Sequence, residues 1–278
     1  MRRVMLGVAF VLVVQSASAA VEYEFRQVTH SELENVPSTD FTGRAIIDGE
    51  KSRVEFVAGT GYQPGTYLIS TNGSRILTFV DPAKKAYMDI NAGSVSTALG
   101  SAKITIANKK IDLTQLEDHP IIAGLPTDHY RMSISYDITL SLGTLALTEN
   151  VHTIEDKFVT GAFGNIGLTY LASGALKTGN LEIDDLVDTE NTRVKGFALK
   201  QVISTTTSSG AFSGQSAKWT PRTITTTREI TISSITPNAS VPGAVFLVPV
   251  AFHKMDPTKD DTQKEPFHML SMEPPASK

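Results

Sequence analysis

Along residues 53–90, apolar and polar positions alternate in short runs separated by residues that suit tight reversals, and this pattern predicts three antiparallel strands in succession. Residues 65–71 and 74–80 are rich in β-branched and aromatic side chains. They are split by Asn72 and Gly73, a pair that readily takes positive φ at both central positions of a two-residue hairpin turn. Residues 81–84 turn the chain again, because Pro82 pre-sets φ and the Asp81 carboxylate can accept from the backbone that follows it. Residues 85–90 return as the third strand, so the expected core is an antiparallel meander.

The same reading extends in both directions. Residues 21–28 alternate as an opening strand, and residues 41–47 and 52–57 predict a hairpin reversed at Asp48 and Gly49. Residues 91–102 lack strand alternation and predict a short helix capped by Asn91. Residues 103–107 predict a short strand, and residues 113–125 a loop or helical turn bounded by Pro120 and Pro126. Residues 129–142 and 144–157 predict a long hairpin through Gly143, with Tyr130, Met132, Ile134, Tyr136, Ile138 and Leu140 on one buried face. Residues 158–175 are glycine-rich and apolar. Residues 181–193 are acidic, with Leu181, Ile183, Leu186 and Val187 at helical spacing, so this region predicts one or two short helices lying over the sheet. Residues 197–207 predict a strand and residues 207–216 a mobile Ser/Gly turn. Residues 218–235 predict a threonine-rich strand in which Ile224, Ile230 and Ile232 share a face with Thr226 and Arg228, and residues 245–249 a last short strand.

The two ends read differently from the rest. Arg2 and Arg3, the apolar run 4–14 and the small residues 17–20 predict an export signal over residues 1–20, too short for the roughly 18 apolar residues of a membrane span. Residues 256–278, with four prolines and many charges, predict a disordered tail, which leaves residues 21–255 as a single β domain in the periplasm or outside the cell. There is no cysteine, which excludes a disulfide framework, a thiolate metal site and a cysteine nucleophile. Without Arg2 and Arg3 the chain carries 23 basic against 29 acidic residues, a net charge of −6, which argues against nucleic acid as a partner.

In this order the chain resembles the outer-membrane lipoprotein carrier superfamily. The likeness rests on Phe41-Thr42-Gly43 opening the first hairpin, on Tyr67-Leu68-Ile69-Ser70-Thr71-Asn72-Gly73 and Phe79-Val80-Asp81-Pro82 in the meander, and on Phe246-Leu247-Val248-Pro249 near the end. Arg53-Val54-Glu55 and Ile122-Ala123-Gly124-Leu125-Pro126 bring it closer to secreted relatives of that superfamily than to the dedicated carrier. In the dedicated carrier an arginine on the second strand helps set the closed state. The corresponding place here falls at Gly49, with Arg53 on the next strand. The resemblance implies a mainly β fold: an antiparallel, incompletely closed barrel, or half-barrel, with a few short helices covering its concave face.

Candidate chemistry is sparse, and no catalytic residue, metal site or cofactor is expected. The six histidines show no ligand spacing, and G-x-S-x-G is absent. Glu182, Asp184, Asp185, Asp188 and Glu190 read as a solvated helix face. The apolar interior is the functional candidate, with Tyr67, Ile69, Leu77, Phe79, Tyr87, Met132, Ile134, Tyr136 and Ile138 as its lining and Phe163, Leu168, Tyr170 and Leu171 as its cover. A lining and cover of this kind could equally be a packed core. The expected partner is a lipid, an acyl chain or a lipidated protein. The rival is an envelope protein docked on the sheet edge or on the threonine-rich face of a filled structure.

Overall fold

The alternating runs assemble into one twelve-stranded sheet in a computed structural model that describes residues 20–32, 37–71, 76–91, 103–163, 179–213 and 222–255. The export signal, the Asn72-Gly73 reversal, the helix expected over 92–102, the cover residues Leu168, Tyr170 and Leu171, and the tail lie outside the described residues. The first half is a meander of β1 (Ala20–Ser31), β2 (Thr39–Asp48), β3 (Lys51–Gly59), β4 (Tyr67–Ser70), β5 (Ile76–Asp81) and β6 (Ala86–Asn91). The second half contains β7 (Lys103–Gln115), a two-stranded flap of β8 (Ile121–Ile122) and β9 (Leu125–Pro126), and the long hairpin β10 (Asp128–Leu142) and β11 (Leu145–Thr160). Helix α1 (Leu181–Arg193) follows, then β12 (Phe197–Ser213), β13 (Thr223–Ala239) and the short β14 (His253–Lys254).

Strand order is β14-β6-β5-β4-β3-β2-β1-β13-β12-β11-β10-β7, so the two halves join where β1 pairs with β13 and the sheet stays open between edges β7 and β14. All its pairings are antiparallel except that of β14 with β6. The reversals follow the turn chemistry. Gly49 takes φ +59 between β2 and β3, and the Asp81 carboxylate accepts from the Lys84 amide at 3.1 Å.

Three segments differ from expectation. Residues 245–249 do not form a strand: Pro242 starts a 3-10 turn, Gly243–Phe246, which points Phe246 into the sheet. β7 runs on to Gln115 because it pairs with β10 as far as Tyr130. β12 continues through residues expected to turn, because its hydroxyls find partners across the sheet, Thr153 with Thr205 at 3.1 Å and Ser208 with Thr223 at 3.1 Å.

Register defines two faces. From Phe79 through Leu68, Val54 and Ala45 to Tyr23, opposed residues keep one face; Phe25, on the same face of β1 as Tyr23, is opposed to Ile232, and from Ile230 the path runs through Gln201 and Lys157 to Tyr130, on the face of Met132 that lies under α1. This is the helix face, and the main core sits on it, with Tyr23, Phe25, Phe41, Phe56, Phe197, Leu199, Ile230 and Ile232 all buried.

Candidate functional site

The predicted lining does not converge on one face. Tyr67 is opposed to Val80, Val80 to Tyr87, and Ile69 to Thr78, whereas Leu68 is opposed to Phe79 and Leu77 to Ile90. Because side chains alternate along a strand, Leu77 and Phe79 share the helix face with Met132, Ile134, Tyr136 and Ile138, while Tyr67, Ile69 and Tyr87 point the other way. On that opposite face Tyr67 and Ile69 are buried under Phe246, with Tyr87, Val245 and Phe252 packed around them. Arg53 fastens this strap: its guanidinium stacks 3.6 Å from the Tyr67 ring centroid, donates to the Val245 carbonyl at 3.2 Å and pairs with Glu55 at 3.3 Å.

On the helix face α1 supplies the cover. Asn180 caps it, its side-chain oxygen accepting from the Glu182 and Ile183 amides at 3.1 and 3.2 Å. Leu186, the helix's buried residue, packs with Met132 and Ile134. The Glu182 carboxylate accepts from the Ile106 amide of edge strand β7, and Lys109 pairs with Asp185 at 2.6 Å. Part of the acidic face expected to be solvated is thus docked on β7. Phe163 packs edge-on against Phe197 at 5.6 Å, next to the main core.

Beneath the cover lies a group of charged residues that sequence alone did not bring together. Buried Glu155 pairs with Lys157 at 3.1 Å and accepts from Gln201. Glu190 of α1 faces Glu155, Lys157 and Lys109. Burial, with Glu155 adding to it, pushes its carboxyl up to about 7. Burial also pushes the Tyr136 phenol up to about 12, with Glu190 contributing. Arg228, on the face predicted for it beside Ile230 and Ile232, is held below the usual guanidinium range by burial, while Glu155 and Tyr62 act to raise it. One signal was visible: an arginine on the apolar stripe of a strand. The pairing of Glu155 with Gln201 was not, because it depends on the register between β11 and β12.

Two of the histidines, His129 and His119, have structural partners. His129 is buried, stacks on Phe158 with centroids 4.0 Å apart, and faces Asp118 at 2.7 Å and Asp156 at 2.9 Å. His119 lies 3.1 Å from Asp128. Burial works against ionisation of Asp156, but hydrogen bonds from Arg131 and His129 hold its carboxyl below the usual range. Among the described residues no group of three or more His, Asp or Glu side chains is arranged to hold a metal ion, and no helix is long and apolar enough to cross a membrane.

No family model matches the chain, and no curated protein matches it. Among solved structures, a LolA superfamily protein from Nitrosomonas europaea aligns over 83% of this chain and 90% of its own, with 10% identity and a TM-score of 0.29, a likeness too distant to argue from.

Proposed function

We propose that the protein is a non-enzymatic, carrier-like binding protein of the periplasm that holds an acyl chain, a lipid or the lipid of a lipidated protein on the helix face. The lining is Leu77, Phe79, Met132, Ile134, Tyr136 and Ile138. The cover is α1 together with Phe163. One observation carries this reading: Leu77, Phe79, Tyr136 and Ile138 remain half-buried on the face whose middle is closely packed. A helix of 13 residues is about 20 Å long, and twelve strands at about 4.8 Å span more than twice that, so α1 alone leaves apolar surface for a ligand. Tyr67, Ile69 and Tyr87 are left out of the lining because Phe246 and its neighbours pack against them on the other face.

Titration with a fluorescent acyl probe tests this. Saturable binding displaced by fatty acid is the expected result, and protein purified from its own envelope should carry lipid in native mass spectrometry. A folded protein that binds no probe and arrives empty would instead favour the envelope adaptor. That alternative would use the opposite face, where Thr206 meets Thr225 at 3.4 Å and Thr139 meets Thr148 at 2.9 Å in rows of paired hydroxyls.

A further inference from the structure

The β8–β9 flap is a small unit closed on itself. Ile121 pairs with Pro126 and Ile122 with Leu125, the turn takes positive φ at Ala123 and Gly124, and the Pro120 carbonyl accepts from the Thr127 amide at 3.1 Å and the Thr127 hydroxyl at 2.7 Å. Its residues Ile122, Ala123 and Leu125 pack against the main core, while Ile121 is exposed on its outside. The loop that carries it, residues 116–120, is fastened to the start of β10 by His119 with Asp128 at 3.1 Å, by Asp118 with His129 at 2.7 Å, and by a backbone bond from the Leu116 amide to the His129 carbonyl at 2.8 Å.

His129 differs from His119 in being held from both sides. Its Nδ1 faces Asp118 and its Nε2 faces Asp156 at 2.9 Å, with the ring buried and stacked on Phe158. A neutral imidazole has one N–H and one lone pair, so it can donate to one of these carboxylates and must turn a lone pair towards the other. Only imidazolium donates to both. The other charges beside the ring are already engaged: Arg131 of β10 donates to Asp156 at 2.8 and 3.0 Å, and Lys200 of β12, opposed to Phe158, pairs with Glu229 at 2.8 Å. Asp156 is mostly buried and keeps Arg131 as a donor, whereas the Asp118 side chain is 58% exposed and can turn to water. Loss of the ring's second proton therefore gives up the contact to the loop.

We propose that His129 is a proton-operated latch: as imidazolium it ties the loop of the flap to β11 and keeps the flap closed on the main core, and on losing a proton it releases the flap as one unit. The flap lies on the face where the acyl-binding reading places the ligand, but the latch needs no ligand and stands apart from that reading.

NMR of the ligand-free protein, with labelled histidine rings and labelled isoleucine and leucine methyl groups, tests this over a pH titration. As pH rises, the His129 ring should pass from two protonated nitrogens to one. With the same midpoint, the Ile122 and Leu125 methyls should lose their NOEs to the aromatic rings of the main core, while the signals of β1, β2 and β3 stay in place. Asp118→Asn, whose amide offers an acceptor to imidazolium and a donor to the neutral ring, should keep the flap closed on both sides of that midpoint. His119→Gln should leave the transition as it is. A His129 ring that carries one proton while the flap is closed, or that keeps both protons throughout the folded range, would overturn the latch. So would flap contacts that persist through the His129 titration in wild type, or a transition that survives in Asp118→Asn.

Discussion

A methyl group on Gly43 would overlap the Phe25 ring and lie 2.9 Å from the Glu55 carbonyl oxygen, so at this position the side chain is absent to make room for the main aromatic core. Gly43→Ala should cost about 1–3 kcal/mol, measurable as a lower denaturant midpoint with an unchanged slope. On the opposite face, Arg53→Ala removes the stack on Tyr67 and the bond to Val245. It should cost about 1–2 kcal/mol and make the segment around Phe246 more sensitive to protease. Glu190 gives the helix face a pH dependence. Below the ordinary carboxylate value it is protonated in both folded and unfolded chains and costs nothing. As pH rises from about 4.5 the unfolded chain loses its proton first, so stability falls through the window up to about 7. The penalty, discounted for partial exposure, is on the order of 2 kcal/mol. Glu190→Gln should flatten the stability profile across that window. A profile unchanged by the substitution would mean that Glu190 is solvated.

At the scale of elements, α1 is held by a cap, one leucine and a few polar contacts, whereas the β1–β3 core is held by interlocked aromatic rings. Leu186→Ala should cost about 2–4 kcal/mol and Asn180→Ala about 1 kcal/mol. Amides of α1 should exchange faster than those of β1, β2 and β3, and addition of laurate should slow them. Equal protection with no response to ligand would make α1 a fixed part of the core. The hairpins were legible in sequence because their reversals carry Asp48-Gly49, Asp81-Pro82 and Gly143, whose chemistry is local. Residues 245–249 were misread because their apolar run is spent on burying one side chain, Phe246, from a turn that Pro242 begins. The length of β12 was hidden because serine and threonine suit a turn and a paired strand equally, and only the partner strand decides.

At the scale of the whole molecule, the sidedness of the sheet decides which predicted residues can act together. Alternation within each strand was legible, but which face of one strand continues that of another depends on pairing across the sheet, including the register shift in β1 against β13. For that reason Tyr67, Ile69 and Tyr87 entered the predicted lining although they face away from Met132. The Glu155, Lys157 and Arg228 group was missed because its members come from two distant strands. The most direct measurement is photolabelling with a diazirine fatty acid followed by residue-level mapping of the adducts. Adducts at Leu77, Phe79, Tyr136 or Ile138 are the predicted result. Adducts confined to Tyr67, Ile69 and Tyr87, or none on a folded protein, would contradict acyl binding on the helix face.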